Sequence, residues 1–168
     1  MKERAKSNVK KSQKSPFPKL AILCDCSSHL ILGLRTDQGP GPDYEYFQPL
    51  LDQATRKTRI TRLLADAGFD SETNHTYARH EHGTAAIIPP TSGRPSDKPP
   101  VGKFRRRMKT LWEQYRKEYG QRSQVETSNS MLKRLLGSAL RATSGWGRHR
   151  EMSLRVLTLN LMILAHHA

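Results

Sequence analysis

Residues 20–34 read LAILCDCSSHLILGL. Two short apolar runs, 20–26 and 30–34, flank the polar pair Ser27-Ser28, the pattern of two strands joined by a tight turn. Asp25 interrupts the first run between Cys24 and Cys26. Side chains alternate across a strand, so Asp25 is expected on one face and both cysteines on the other. A carboxylate in an apolar strand is costly unless it is paired or holds a metal. The plainer reading makes Asp25 the first residue of a turn closed by Ser27 and Ser28.

Working outward, Gln38-Gly39-Pro40-Gly41-Pro42 breaks the chain into a loop. Asp43 is expected to cap a helix through Ala54, with Phe47, Leu50 and Leu51 as its apolar stripe. Residues 58–66 read as a third strand that ends at Ala67-Gly68. Ser71 is placed to cap a second helix over 72–82, closed by Gly83. Residues 84–88 form a fourth strand, stopped by Pro89-Pro90. Five prolines fall within residues 89–102, an irregular connector. Residues 103–133 carry a helical pattern with a break near Gly120, and Gly137 ends the region. Gly145-Trp146-Gly147 is expected to be a loop before a last helix over 151–166, apolar on most faces as a buried packing helix would be. Strands alternating with helices predict an α/β domain with a mixed sheet.

The chain of 168 residues suits one domain, and 29 Lys and Arg against 15 acidic residues give a net charge of +14. Such a balance points to a polyanionic partner, DNA or RNA first. Apolar residues are only 35% of the chain, so some segments lie outside the core. Residues 1–19 hold seven Lys or Arg against Glu3. We expect a disordered basic arm over 1–18 and a single domain over 19–168. No run nears the roughly 18 apolar residues of a membrane span, and the N-terminus lacks a signal-peptide core. Two cysteines make no disulfide framework. A cytoplasmic, nucleoid-associated protein is the expected setting.

Three acids carry the chemical interest: Asp25, Asp66 at the end of the third strand, and Glu126. Strand ends are where α/β sheets assemble sites, although Asp66 also reads as a plain turn residue. On a helical wheel Tyr119, Arg122, Glu126 and Lys133 fall in one stripe roughly 60° wide. Val125, Met131, Leu132, Leu135 and Leu136 make a separate packing face. A solvated face with an Arg122–Glu126 ion pair at i,i+4 spacing is the ordinary explanation of such a stripe.

The spacing Tyr119-x2-Arg122-x3-Glu126-x6-Lys133 resembles the Tyr-Arg-Glu-Lys signature of bacterial insertion-sequence transposases of the DDE type. Ala65-Asp66-Ala67-Gly68-Phe69-Asp70-Ser71 is similar to the family segment around its second catalytic Asp, residues 20–25 to its first catalytic strand, and Ile87-Ile88-Pro89 to the strand before its variable insert. The resemblance covers residues 19–168 and implies an RNase H-like fold. It implies metal-dependent phosphodiester hydrolysis and strand transfer by Asp25, Asp66 and Glu126. Carboxylates suit two Mg²⁺ (or Mn²⁺) ions, hard cations that activate the attacking oxygen and stabilise the leaving one. Arg122 and Lys133 would contact phosphates, and Tyr119 would stack on a base or bond a phosphate. Asp70 is the rival of Asp66 as second ligand; the strand-end position favours Asp66. Double-stranded DNA is the implied partner, with a homodimer pairing two DNA ends.

Arg105, Arg106 and Arg107, with Lys103 and Lys109, are further candidates for DNA phosphates. Trp146 is one for base stacking, and Trp112 is as readily a packing residue. Cys24, Cys26 and the histidines at 75, 80 and 82 lack the spacing of a structural zinc site. Family members usually carry an N-terminal domain that reads the element's ends and a three-stranded opening to the fold. Here about 19 residues and two strands stand in those places, so a truncated copy is expected. The competing functional class is a catalytically silent basic DNA-binding remnant.

Overall fold

A computed structural model describes residues 17–39, 41, 43–90 and 100–167. The opening pair is an antiparallel hairpin of β1 (Phe17–Cys24) and β2 (Ile31–Gly39), in register from Phe17 opposite Gly39 to Leu23 opposite Gly33, with a one-residue shift before Cys24 opposite Ile31. Both strands run longer than their apolar centres suggested. β1 begins at Phe17, inside the expected basic arm; residues 1–16 of that arm lie outside the described residues. β1 also stops at Cys24, so Asp25 sits just past the strand and not within it. Its backbone N–H donates to the Leu30 carbonyl at 2.9 Å and its carbonyl accepts from His29 N at 3.0 Å. His29 holds a left-handed φ of 62° to close that loop.

A 3₁₀ turn, Asp43–Tyr46, leads into α1 (Phe47–Thr55). Asp43 does not cap the helix; it pairs with Lys19 of β1. Phe47, Leu50 and Leu51 are buried as the stripe required. α1 lies tightly on the hairpin because Gly33 has no side chain: a Cβ there would stand 2.8 Å from the Leu50 carbonyl oxygen. The third strand is short, β3 (Arg62–Leu64), and pairs in parallel with β4 (Ala85–Ile87). Between them comes α2 (Glu72–His82), capped by the Ser71 hydroxyl at Asn74 N, 3.1 Å, and closed by Gly83 at φ 61°.

Pro89, Pro90, Pro100, Val101 and Gly102 of the expected connector are described; residues 91–99 lie outside the described residues. The predicted long helix is α3 (Lys103–Tyr119) and α4 (Gln124–Leu136), joined by a 3₁₀ turn at Gly120–Ser123. α5 (Gly145–His167) starts at Gly145, so Gly145-Trp146-Gly147 is its first turn and not a loop.

The α/β class is as expected. Among the described residues the strands form two two-stranded sheets, one antiparallel and one parallel. Two apolar clusters hold the elements together. Leu20, Ile22 and Cys24, alternate residues of β1, pack with Ile31 against Leu132 of α4 and Val156, Leu159 and Ile163 of α5. Phe47 and Leu51 of α1 pack with Ala78, Ala86 and Ile88 in the second. Asn160 of α5 fixes the helix to β2 by accepting from Ile31 N at 2.8 Å and donating to the Ile31 carbonyl at 2.9 Å. The outer side of α5 is not covered: Leu154, Leu157, Leu161 and Leu164 are each 52–58% exposed. The helix is therefore buried on one face only, against the expectation of burial on most. Leu135 is likewise exposed, and drops out of the packing face read from the wheel.

Candidate active site at the strand ends

The outer edges of β1 and β3 face one another across a cavity of about 750 Å³ whose lining includes Asp25, Asp66, Gln121, Arg122 and Asn129. β1 delivers Asp25 to one rim and β3 delivers Asp66 to the other. Asp25 comes directly after β1 and Asp66 two residues after β3, where the chain must turn, and each uses one carboxylate oxygen to organise that turn.

Asp25 Oδ2 accepts from the backbone N–H groups of Ser27 and Ser28 at 3.2 and 2.8 Å and from their hydroxyls at 2.5 and 2.8 Å. The Ser27 hydroxyl and then the Ser28 N–H draw its pKa down to about 2, against a smaller opposing effect of burial. The turn reading of Asp25 is thus realised, and the turn keeps the carboxylate charged and oriented. Its Oδ1 accepts no hydrogen bond among the described residues. Asp66 repeats the arrangement: Oδ1 accepts from Ala67 N at 2.8 Å and caps the 3₁₀ turn Ala67–Phe69, while Oδ2 faces a cation.

That cation is Arg122. Its Nη2 lies 2.9 Å from Asp66 Oδ2 and its Nη1 lies 2.8 Å from Glu126 Oε1. The 3₁₀ turn before α4 and the first turn of α4 thereby join the end of β3. The i,i+4 pair foreseen on the helix is present, but it forms half of a bridge to a residue 56 positions away in sequence. Glu126 stands toward a second cleft, lined also by Asn129, Lys133, Arg134, Arg148 and Arg155. Tyr119 packs edge-on against Trp112 with ring centroids 5.1 Å apart, and burial raises its phenol pKa. Trp112 is accordingly a packing residue.

Asp70, the rival second ligand, is committed elsewhere. Its side chain is 1% exposed and holds the Arg105 guanidinium through Nε and Nη2, the latter at 2.8 Å. Arg105 is therefore turned inward, while Arg106, Arg107, Lys103 and Lys109 on the same helix are exposed. Trp146 is exposed, with the Arg150 guanidinium 4.5 Å over its ring. Asn129, one helical turn after Glu126, lines both clefts and was missed in the sequence, although its i+3 spacing from Glu126 marks it.

Whether these residues suit divalent cations is a matter of donors and distance. The donors fit: three carboxylates, two of them with one oxygen pinned by local N–H groups and the other directed to a cation or free of hydrogen bonds. Asp66 and Glu126 already hold one positive group between them. No three His, Cys, Asp or Glu side chains among the described residues stand close enough to share a metal ion. Arg122 is the group that lies between Asp66 and Glu126.

A family model described as "Transposase DDE domain" matches residues 2–161. The chain belongs to this transposase family. No curated protein and no solved structure matches it significantly. The match spans both strand-end aspartates and the α3–α4 segment, so the cavity belongs to the matched transposase domain. No helix among the described residues is long and apolar enough to cross a membrane.

Proposed function

We propose that this transposase domain cuts and joins DNA strands at the β1–β3 cavity, with Asp25, Asp66 and Glu126 as its catalytic carboxylates. One observation carries the reading: aspartates at the ends of two facing strands each leave one oxygen for a cation, and Glu126 is tied to the same place through Arg122. Asp25, Asp66 and Glu126 are the residues that would hold Mg²⁺ or Mn²⁺. Bound there, two such ions supply Lewis acidity for the attacking and leaving oxygens of a phosphodiester. Asp25 stays ionised at neutral pH and so serves as a ligand rather than as a proton donor. Lys133 and Arg122 hold phosphate oxygens beside the scissile bond, Arg122 by its two-pronged guanidinium. Tyr119, its ring edge-on to Trp112, orients a base or phosphate. Arg106 and Arg107 track the DNA backbone on the exposed side of α3, and Trp146 offers a stacking surface. The spacing of Tyr119, Arg122, Glu126 and Lys133 supports membership of the Tyr-Arg-Glu-Lys subgroup.

A pair of such domains on DNA is supported by α5. Its four outward leucines repeat at 3-4-3 spacing, the pattern of a coiled-coil seam, and residues 156–165 contain no charged side chain. On a chain of net charge +14 that uncharged strip is a surface on which two copies meet without repulsion.

The alternative, a DNA-binding remnant without catalysis, draws on the absence of a three-carboxylate cluster among the described residues. Supercoiled plasmid incubated with Mn²⁺ separates the two. Nicking that is lost in Asp25→Asn and in Glu126→Gln is the expected result. Salt-sensitive binding without any nicking would leave the remnant reading.

A further inference from the structure

We propose that the second cleft, bounded by α4, α5 and the start of β1, holds a few nucleotides of single-stranded DNA. The inference rests on the reading of the domain as one that cuts DNA, and adds which form of DNA it retains beside the cut. The cleft has a volume of about 1030 Å³ and meets the strand-end cavity at Asn129, which lines both. Its apolar lining comes from Phe17 and Leu20 of β1, Leu140 of the loop before α5, and Met152 of α5. Phe17 is 49% exposed, and its ring rests on Gly39, where a Cβ would stand 2.6 Å from it. The ring is thus seated on backbone while half of the residue remains open. The loop over 137–144 has no helix or strand of its own and is pinned from α5. Arg155 donates to the carbonyls of Gly137 and Ala139 at 2.5 and 2.6 Å, and Glu151 accepts from Arg141 N and Ala142 N, both at 2.9 Å.

The acids beside the cleft are already engaged, Glu126 with Arg122 and Glu151 with Arg155. Among the described residues no carboxylate pairs with Lys133, Arg134 or Arg148, which also line it. Lys133 and Arg134 are exposed. Arg148 is oriented by its Nε, which donates to the Ala142 carbonyl at 3.1 Å, so its two terminal nitrogens are left for an anion. Uncompensated cations beside an open aromatic ring are what a single strand requires. Duplex DNA presents phosphates and groove edges and keeps its base faces stacked inside, so an apolar lining gains nothing from it. A single strand has base faces and phosphates to place, and the cleft supplies a surface for each.

The test is fluorescence anisotropy of the full chain in the presence of a chelator, so that binding is read without cleavage. The probes are a labelled thymidine oligomer of about eight nucleotides and a duplex of the same length. Arg134→Ala with Arg148→Ala should weaken single-strand binding about tenfold at low salt and lower the slope of log affinity against log salt by about 1.4. Phe17→Ala should weaken it about tenfold with the slope unchanged. Duplex affinity should stay at the parent value in both, whereas Arg106→Ala with Arg107→Ala should reverse the pattern. Arg134→Glu, at an exposed position, repeats the test in a variant whose thermal denaturation should match the parent's, which separates lost binding from misfolding. An oligomer carrying iododeoxyuridine should crosslink to Phe17 on irradiation. Equal losses for both forms of DNA, no loss for either, or crosslinks confined to α3 would overturn the inference and leave the DNA-cutting reading in place. A parent that binds neither form would remove that reading and this inference with it.

Discussion

The charge of Asp25 is set by Ser27 and Ser28, the two residues just past the next cysteine. Because its folded pKa of about 2 lies below the ordinary 3.8, the stabilisation it brings is complete above the unfolded value and is lost as pH falls through about 2. Ser27→Ala removes the hydroxyl that contributes most. We expect Asp25 to titrate nearer the usual range in that variant, and about 1 kcal/mol of stability at pH 7 to be lost, a difference that closes below pH 2. Carboxyl NMR titration and urea unfolding at two pH values read both effects. The sequence carried this residue's two alternatives, strand carboxylate or turn former. It could not choose, because the strand's true start at Phe17 lies among lysines and prolines that mask it. Once β1 is displaced toward the N-terminus, Asp25 falls at its end and the turn becomes its natural place.

Between elements, the sharpest discrimination is that of Asp66 from Asp70. Four residues apart, they differ in the structure each one serves: Asp66 turns the chain beside the cavity, while Asp70 anchors α3 to the start of α2 through Arg105. Glu72 adds to that anchor by accepting from the backbone N–H groups of Phe104 and Arg105, both at 3.0 Å. Asp70→Asn should cost on the order of 2 kcal/mol, less than for a fully buried pair because the Arg105 side chain remains 26% exposed. Thermal denaturation measures that loss, and Mn²⁺ affinity should stay at the parent value. A weakened metal site at unchanged stability would instead make Asp70 the ligand. Element type was readable in the sequence from capping signals such as Ser71 and Gly83. Partners across elements were not, since Arg105 looks identical to Arg106 and Arg107 until α3 is docked. The Arg122 bridge was half legible for the same reason: helical spacing gives Glu126, and only the fold gives Asp66.

At the scale of the whole molecule, charge and apolar surface divide the labour. Arg106 and Arg107 are exposed on α3, so replacing both by Ala should lower the slope of log affinity against log salt by about two. That change should apply equally to unrelated DNA sequences, and filter binding across a salt series checks it. The leucines of α5 make the opposite kind of surface. Leu157→Glu with Leu161→Glu should turn a self-associating species into a monomer in sedimentation velocity, with little loss of stability because both positions already face solvent. Composition alone located neither surface, since it counts cations and leucines without saying which are spent inside. The wheel for the last helix mixed buried and outward leucines for lack of a known neighbour.

The division of the strands into two small sheets has a mechanical meaning. In a continuous ladder, neighbouring strands are held about 4.8 Å apart by rungs of hydrogen bonds. No rung joins β1 to β3, and Asp25 rides on one leaf while Asp66 rides on the other. The separation of these two carboxylates is therefore set by the side chains packed between the sheets and not by backbone hydrogen bonds.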